Sequence, residues 1–234
     1  MKNKLFSLAL IPLFAMCFLI LSLIVLMGSR AVSVSLETKP LVNRHTIVID
    51  AGHGGEDGGA SSCTGFLESN INLEIALRLN DLMHLLGYQT AMVRTTDCAL
   101  HTQGETIAAR KASDLKERVK IANHTENCIW ISIHQNYFTD ERYRGAQVFY
   151  GNSVDSDTLG KQLQQNLIKT INPNSNRQAK KISGVYLFDH MTVTGVLIEC
   201  GFLSNREEEA LLRNVSYQKQ LCGVIAATVG TFLS

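Results

Sequence analysis

The stretch TIVIDAGHGGEDGGA, residues 46–60, decides how this chain is read. Its opening TIVID is short, apolar and rich in β-branched residues, the pattern of a buried strand. The run then breaks into five glycines around a single histidine, His53. Glycines at a strand end let the backbone turn sharply and leave an imidazole accessible. The pattern predicts a ligand or catalytic group at His53, with a hydrogen-bonded structural histidine as the plainer alternative.

Outward from this stretch, strand and helix patterns alternate. ESNINLEIALRLNDLMHLLG (68–87) places Ile71, Ile75, Leu79, Leu82 and Leu86 at gaps of four and three and stops on Gly87, which predicts an amphipathic helix. YQTAMVR (88–94) reads as a strand, and SDLKERVKIANH (113–124) as a helix with Leu115, Val119 and Ala122 on one face. CIWISIH (128–134), GAQVFY (145–150) and TGVLIECGF (194–202) are three further strands. Leu159, Leu163 and Leu167 mark a helix between the last two. Ser204, followed by Glu207, reads as a cap that opens another helix, and Leu221, Ile225, Val229 and Phe232 supply the apolar stripe of the final one. Such alternation predicts an α/β domain with a mostly parallel sheet covered by helices on both faces.

Ligands in sheets of this kind sit outside the carboxyl ends of the strands. His53 stands there, and so do two other polar residues. His134 ends CIWISIH, and Glu199 interrupts the apolar GVLIECGF. A carboxylate inside an apolar strand must be paired, protonated or bound to a metal. Glu68, after the glycine loop, opens the next helix, where an acid favourably meets the dipole. Taken with His53 and His134 it also completes a His-Glu-His set, the ligand class of open zinc sites in amide hydrolases. The remaining histidines, His45, His84, His101, His124 and His190, fit helix or loop surfaces. Asp50 reads as an acceptor for turn amides or for a ligand imidazole. Asn136 reads as a loop cap or a substrate contact, and Arg94 and Arg118 as surface arginines or contacts for a peptide carboxylate.

Composition narrows the class. With 22 Lys and Arg against 21 Asp and Glu in 234 residues, the chain has no basic stripe of the sort nucleic-acid binding needs, so nucleic acid is excluded as a partner. Leu5 to Met27 carries no charge, and about 20 apolar residues span a hydrocarbon core. Lys2 and Lys4 precede it, which keeps the short N-terminus in the cytoplasm and sends the rest outside. Residues 1–27 are therefore expected to be a transmembrane signal-anchor, 28–44 a linker and 45–234 the domain. The apolar run exceeds a signal-peptide core, and Arg30 interrupts the best cleavage site; a secreted, cleaved form is the alternative. Of six cysteines Cys17 lies in the apolar run, and the odd number beyond it argues against a disulfide scaffold, while the lack of a CxxC pair argues against a thiolate zinc site. Cys128 and Cys200 read as core residues, leaving one bridge possible among the others.

The ordered series IVIDAGHGGEDGGA, LESNINLEIALRLNDLM, RVKIANHTENCIWISIHQN, GAQVFY and VLIECGFLSNREEEALL resembles the motifs of the zinc-dependent N-acetylmuramoyl-L-alanine amidases, the type 3 amidase family. The resemblance implies a single three-layer domain with a twisted sheet between helices. It implies Zn2+ on His53, Glu68 and His134, with a fourth position open, and Glu199 as catalytic acid and base. Its implied substrate is peptidoglycan, cut between the lactyl group of N-acetylmuramic acid and L-alanine. The short stretch between His134 and Glu199 leaves no space for the cleft-blocking helix of division amidases. A minimal, membrane-anchored exterior amidase is most like the germination-specific, spore-cortex branch, with expression timing, metal loading or a regulatory protein partner as the means of control. The rival expectations are another zinc hydrolase of the wall, a carboxypeptidase or deacetylase, and a noncatalytic membrane-tethered wall-binding protein.

Overall fold

The computed structural model describes residues 45–153 and 155–234. The expected anchor and linker lie outside the described residues, and no helix among the described residues is long and apolar enough to cross a membrane. The elements in chain order are β1 (Thr46–Ala51), α1 (Glu68–Leu85), β2 (Gln89–Met92), α2 (Ile107–His124), β3 (Cys128–Asn136) and β4 (Gln147–Tyr150). They continue with α3 (Ser156–Thr170), β5 (Lys180–Lys181), α4 (Tyr186–His190), β6 (Thr194–Phe202), α5 (Arg206–Leu212) and α6 (Val215–Phe232).

The six strands form one sheet in the order β2-β1-β3-β6-β4-β5. Every neighbouring pair is parallel except β4 with β6. Successive side chains of a strand point to opposite faces, and the sequence exploits this on both sides. Ile47, Ile49, Ile131, Ile133 and Ile198 pack on one face with Ile75 of α1, Leu163 of α3 and Ile225 of α6. Val48, Trp130 and Leu197 pack on the other with Ala122 of α2 and Leu187 and Phe188 of α4. Full burial of a side chain of this size contributes about 1.5–3 kcal/mol. The three-layer arrangement follows, because each face needs its own helical cover.

Several local expectations are corrected. Helix α2 begins at Ile107 rather than Ser113, because the Thr106 hydroxyl caps it by accepting the Ala109 N–H at 3.1 Å. Asn205, not Ser204, caps α5: its Oδ1 accepts the N–H groups of Glu207 and Glu208, both at 3.1 Å, while Ser204 Oγ accepts that of Phe138. Leu86 is exposed, and Met83 takes the buried position near the end of α1. The short β5 and α4 escaped the periodicity analysis, since neither is long enough to show a period. All five cysteines of the described residues are free, with Cys128, Cys200 and Cys222 buried.

What matters for the site is that β1, β3 and β6 are neighbours and parallel, so their carboxyl ends share one edge. In that register His134 pairs directly with Glu199.

Candidate metal centre

Strand β1 ends at Ala51, and the Gly52 N–H still bonds the Ile133 carbonyl of β3 at 3.0 Å. A side chain at Gly52 would lie 2.2 Å from the His134 ring, so only glycine lets the imidazole rest against the strand end. His53 follows with a left-handed φ of 61°, costly for a non-glycine residue and found mostly where the surroundings enforce it. Here Arg118 enforces it, donating from Nη2 to the His53 carbonyl at 2.9 Å. Gly59, at φ +68°, makes the other space: a Cβ there would meet Glu68 Oε2 at 2.5 Å and the His53 ring at 2.7 Å.

Glu68 lies between the two histidines. Its Oε2 is 3.3 Å from His53 Nε2, and its Oε1 is 2.9 Å from His134 Nδ1. The same carboxylate accepts the N–H of Ala60 at 3.0 Å, that of Gln135 at 3.1 Å and the Asn72 amide at 3.2 Å. The first amides of α1 bond to the Ala60 and Gly58 carbonyls, so the Glu68 side chain makes no capping hydrogen bond to them, although it stands in the first helical turn. One donor atom from each of His53, Glu68 and His134 lies within 4.8 Å of the others. The rings of His53 and His134 meet edge-on, centroids 5.0 Å apart.

The electrostatics follow from crowding opposite charges away from water. Burial disfavours the His53 imidazolium, but the Glu68 and Asp57 carboxylates outweigh it and push the group up to about 9. Burial also opposes ionisation of Glu68, and hydrogen bonds from His134 and His53 override it, holding the carboxyl well below the usual range. Glu199 moves the other way. Burial raises it to about 7, with His134 opposing and Glu68 adding to the rise. Its Oε2 is shielded from solvent and has no hydrogen-bond partner among the described residues.

The residues present fit a divalent cation. Two imidazoles and a carboxylate on convergent atoms are the donor set of an open zinc site, and an orphaned carboxylate oxygen borders it. A cavity of about 330 Å³ opens in front, lined by His53, His134, His101 and Lys111 on its polar side and by Val185 and Phe188 on its apolar side.

Other expectations for the site change. Asp50 does not orient an imidazole: it pairs with Arg118 and accepts the Ser132 hydroxyl at 2.7 Å. That role falls to Asp57, whose Oδ2 is 3.0 Å from His53 Nδ1 and whose Oδ1 takes Lys111 Nζ at 2.8 Å. Arg94 and Arg118 are not surface arginines, being only 3 % exposed. Arg94 binds the carbonyls of Ala51, Gly52 and Ser69 and so ties the strand end to α1. Asn136 contributes its carbonyl to the Leu203 N–H at 2.8 Å. Sequence reasoning missed Asp57, Lys111 and His101. Asp57 lies in a glycine-rich turn where an acid gives no sign of an imidazole partner, Lys111 carries no signal either, and His101, read as a surface histidine, lines the cavity.

Comparison with known proteins bears on these features. The family profile described as N-acetylmuramoyl-L-alanine amidase matches residues 47–230. The chain is 40% identical over 181 residues to the germination-specific N-acetylmuramoyl-L-alanine amidase of Bacillus subtilis, covering 76% of each. Among solved structures it resembles the CwlD amidase of Clostridioides difficile, solved in complex with the GerS lipoprotein, with a TM-score of 0.77 and 35% identity over 80% of this chain and 98% of that one. An N-acetylmuramoyl-L-alanine amidase from Clostridium difficile 630 matches with a TM-score of 0.69 and 28% identity, covering 81% of this chain and 96% of that one.

Proposed function

Because this chain belongs to the N-acetylmuramoyl-L-alanine amidase family, we propose that it hydrolyses peptidoglycan at the amide between N-acetylmuramic acid and the L-alanine of the stem peptide. In this reading His53, Glu68 and His134 hold Zn2+, and Glu199 is the catalytic acid and base. The observation that carries it is the convergence of the three donor atoms within 4.8 Å beside the unpartnered Glu199 carboxylate.

Bound there, zinc supplies the positive charge that polarises the scissile carbonyl and acidifies the attacking water. The chain's own groups do the rest. Glu199 takes a proton from that water and returns it to the departing nitrogen, which without it is a poor leaving group. Asp57 holds His53 through Nδ1 and leaves Nε2 facing the site. Arg118 keeps the His53 backbone in its left-handed turn. The apolar wall at Val185 and Phe188 limits water beside the reacting bond.

Likeness to a germination-specific enzyme supports a role in the spore cortex. In the same reading residues 1–27 anchor the chain, residues 28–44 tether it, and residues 45–234 act outside the cytoplasmic membrane. The complex of the similar Clostridioides difficile amidase with a lipoprotein supports a protein partner for this chain as well.

The test is digestion of purified peptidoglycan by the full-length protein, with zinc added or chelated, followed by mass analysis of the fragments. The expected products are stem peptides with a new L-alanine amine and glycan with intact muramic acid, formed only with the metal. Release of C-terminal residues or of acetate would replace this reading by a carboxypeptidase or a deacetylase.

A further inference from the structure

The loop before β4 and the segment after α3 enclose an open groove of about 750 Å³. Three arginines line it, Arg142, Arg144 and Arg177, against one acidic side chain, Asp140. Arg142 pairs with Asp140 at 2.7 Å and Arg144 with Glu207 at 2.9 Å, both largely in solvent. Exposed pairs of this kind hold weakly and exchange partners readily.

Arg177 is built differently. Its guanidinium lies 4.8 Å above the Phe202 ring, its Nε donates to the Arg144 carbonyl at 3.0 Å, and its Nη1 donates to Gln147 Oε1 at 3.4 Å. All three partners are neutral. The nearby Glu208 carboxylate accepts the backbone N–H groups of Gly145 and Phe202, so it attracts Arg177 by charge but leaves the guanidinium's hydrogen bonds to neutral groups. Stacking and a backbone bond fix the planar fork before any ligand arrives, which lowers the entropic cost of binding. Asn174 and Asn176 add side-chain amides to the same groove.

Two buried residues, Gln147 and Phe202, stand between the groove and the proposed centre. Gln147, which Arg177 touches, is the cross-strand partner of Glu199, and Phe202 follows Glu199 on the same strand. A planar, oriented guanidinium is the natural receptor for a carboxylate, which it can bind through two parallel hydrogen bonds. The group that leaves from Glu199 in the amidase reading is a peptide, and a peptide carries carboxylate. The geometry points to a peptide subsite here, in which Arg177 receives a stem-peptide carboxylate while the alanine end lies at Glu199. This inference rests on the amidase reading, and it makes Arg177 a specificity-determining residue rather than a catalytic one.

The experiment uses the zinc-loaded full-length protein and two substrates: a muramoyl stem peptide with its carboxylates free, and the same compound with them converted to amides. For the unaltered protein the amidated substrate should show a KM roughly 10- to 100-fold higher, as expected for loss of a hydrogen bond to a charged group, with kcat retained. Arg177→Gln should raise KM for the free form by a similar factor and abolish the difference between substrates; Arg177→Lys should restore part of it. Equal KM values for the two substrates on the unaltered protein would overturn the subsite, and that comparison stands even where Arg177→Gln fails to fold. Cleavage at the muramoyl–alanine bond with equal KM values would leave the amidase reading intact. Should neither substrate be cut, calorimetry with the two released peptides decides: a preference for the free form keeps the groove although the reaction is wrong, and no preference removes it.

Discussion

His53 concentrates the chemistry of the molecule at the residue scale: a left-handed backbone, a carboxylate on each ring nitrogen and a buried arginine on its carbonyl. Asp57 is the contact that sets which nitrogen faces the other donors, and partners of this type typically tune metal affinity by 10- to 100-fold. Asp57→Ala should therefore weaken zinc binding by about that range while leaving the fold intact, as read by competition with a chromogenic chelator. Unchanged affinity would reduce Asp57 to a surface partner of Lys111. Glu199 is argued on different grounds, since its shielded oxygen has no structural partner to lose among the described residues. Glu199→Gln should lower turnover by about 10²- to 10⁴-fold with zinc content unchanged. Loss of zinc in step with activity would instead make Glu199 a ligand. His53, Glu68, His134 and Glu199 were all legible as chemistry-bearing residues on or beside strands and at a helix start. Asp57 was not, because an acid in a glycine-rich turn looks the same whether it satisfies amides or an imidazole.

At the scale of elements, α2 is the clamp on the β1–α1 loop. Arg110 pairs with Glu56 and Lys111 with Asp57 in the loop that carries His53, while Arg118, braced by Asp114 of its own helix, reaches Asp50 in β1 and the His53 carbonyl. The Arg118–Asp50 pair is buried on both sides. Removing one partner of such a pair strands the other charge and costs about 3–5 kcal/mol. Arg118→Ala should lower the free energy of unfolding by about this amount, measured by denaturant titration of the metal-free protein, and it should free the His53 loop as well. A loss below 1 kcal/mol would show that the pair is hydrated. The helix itself was visible in the spacing of Leu115, Val119 and Ala122, but Arg118 beside them read as solvent-facing. Periodicity assigns a face by its apolar members and is blind to a cation whose counterion lies 68 residues away.

For the whole molecule, the two-sided core predicts a pattern of reactivity. Burial pushes the thiols of Cys128 and Cys222 up to about 12 and that of Cys200 higher still, whereas Cys63 is exposed. Thiolate, not thiol, is the nucleophile. A thiol reagent at pH 8 should thus modify Cys63 on the folded protein and reach Cys128, Cys200 and Cys222 only on global unfolding, as mapped by peptide mass. Modification of the buried three at the same rate would mean that the core opens locally. The sequence by itself determined the α/β class, a mostly parallel sheet and the place of His53, His134 and Glu199 on or just after strands. These follow from periods of two and 3.6 in apolar residues, which depend only on near neighbours along the chain. The tertiary structure alone decided which acid orients His53, that Arg94 and Arg118 are buried, and that an arginine after α3 stacks on a β6 phenylalanine. Each of these pairs residues far apart in the chain, and polar partners at long range leave no period, because a single well-placed counter-charge suffices to bury a group whose type otherwise belongs in water.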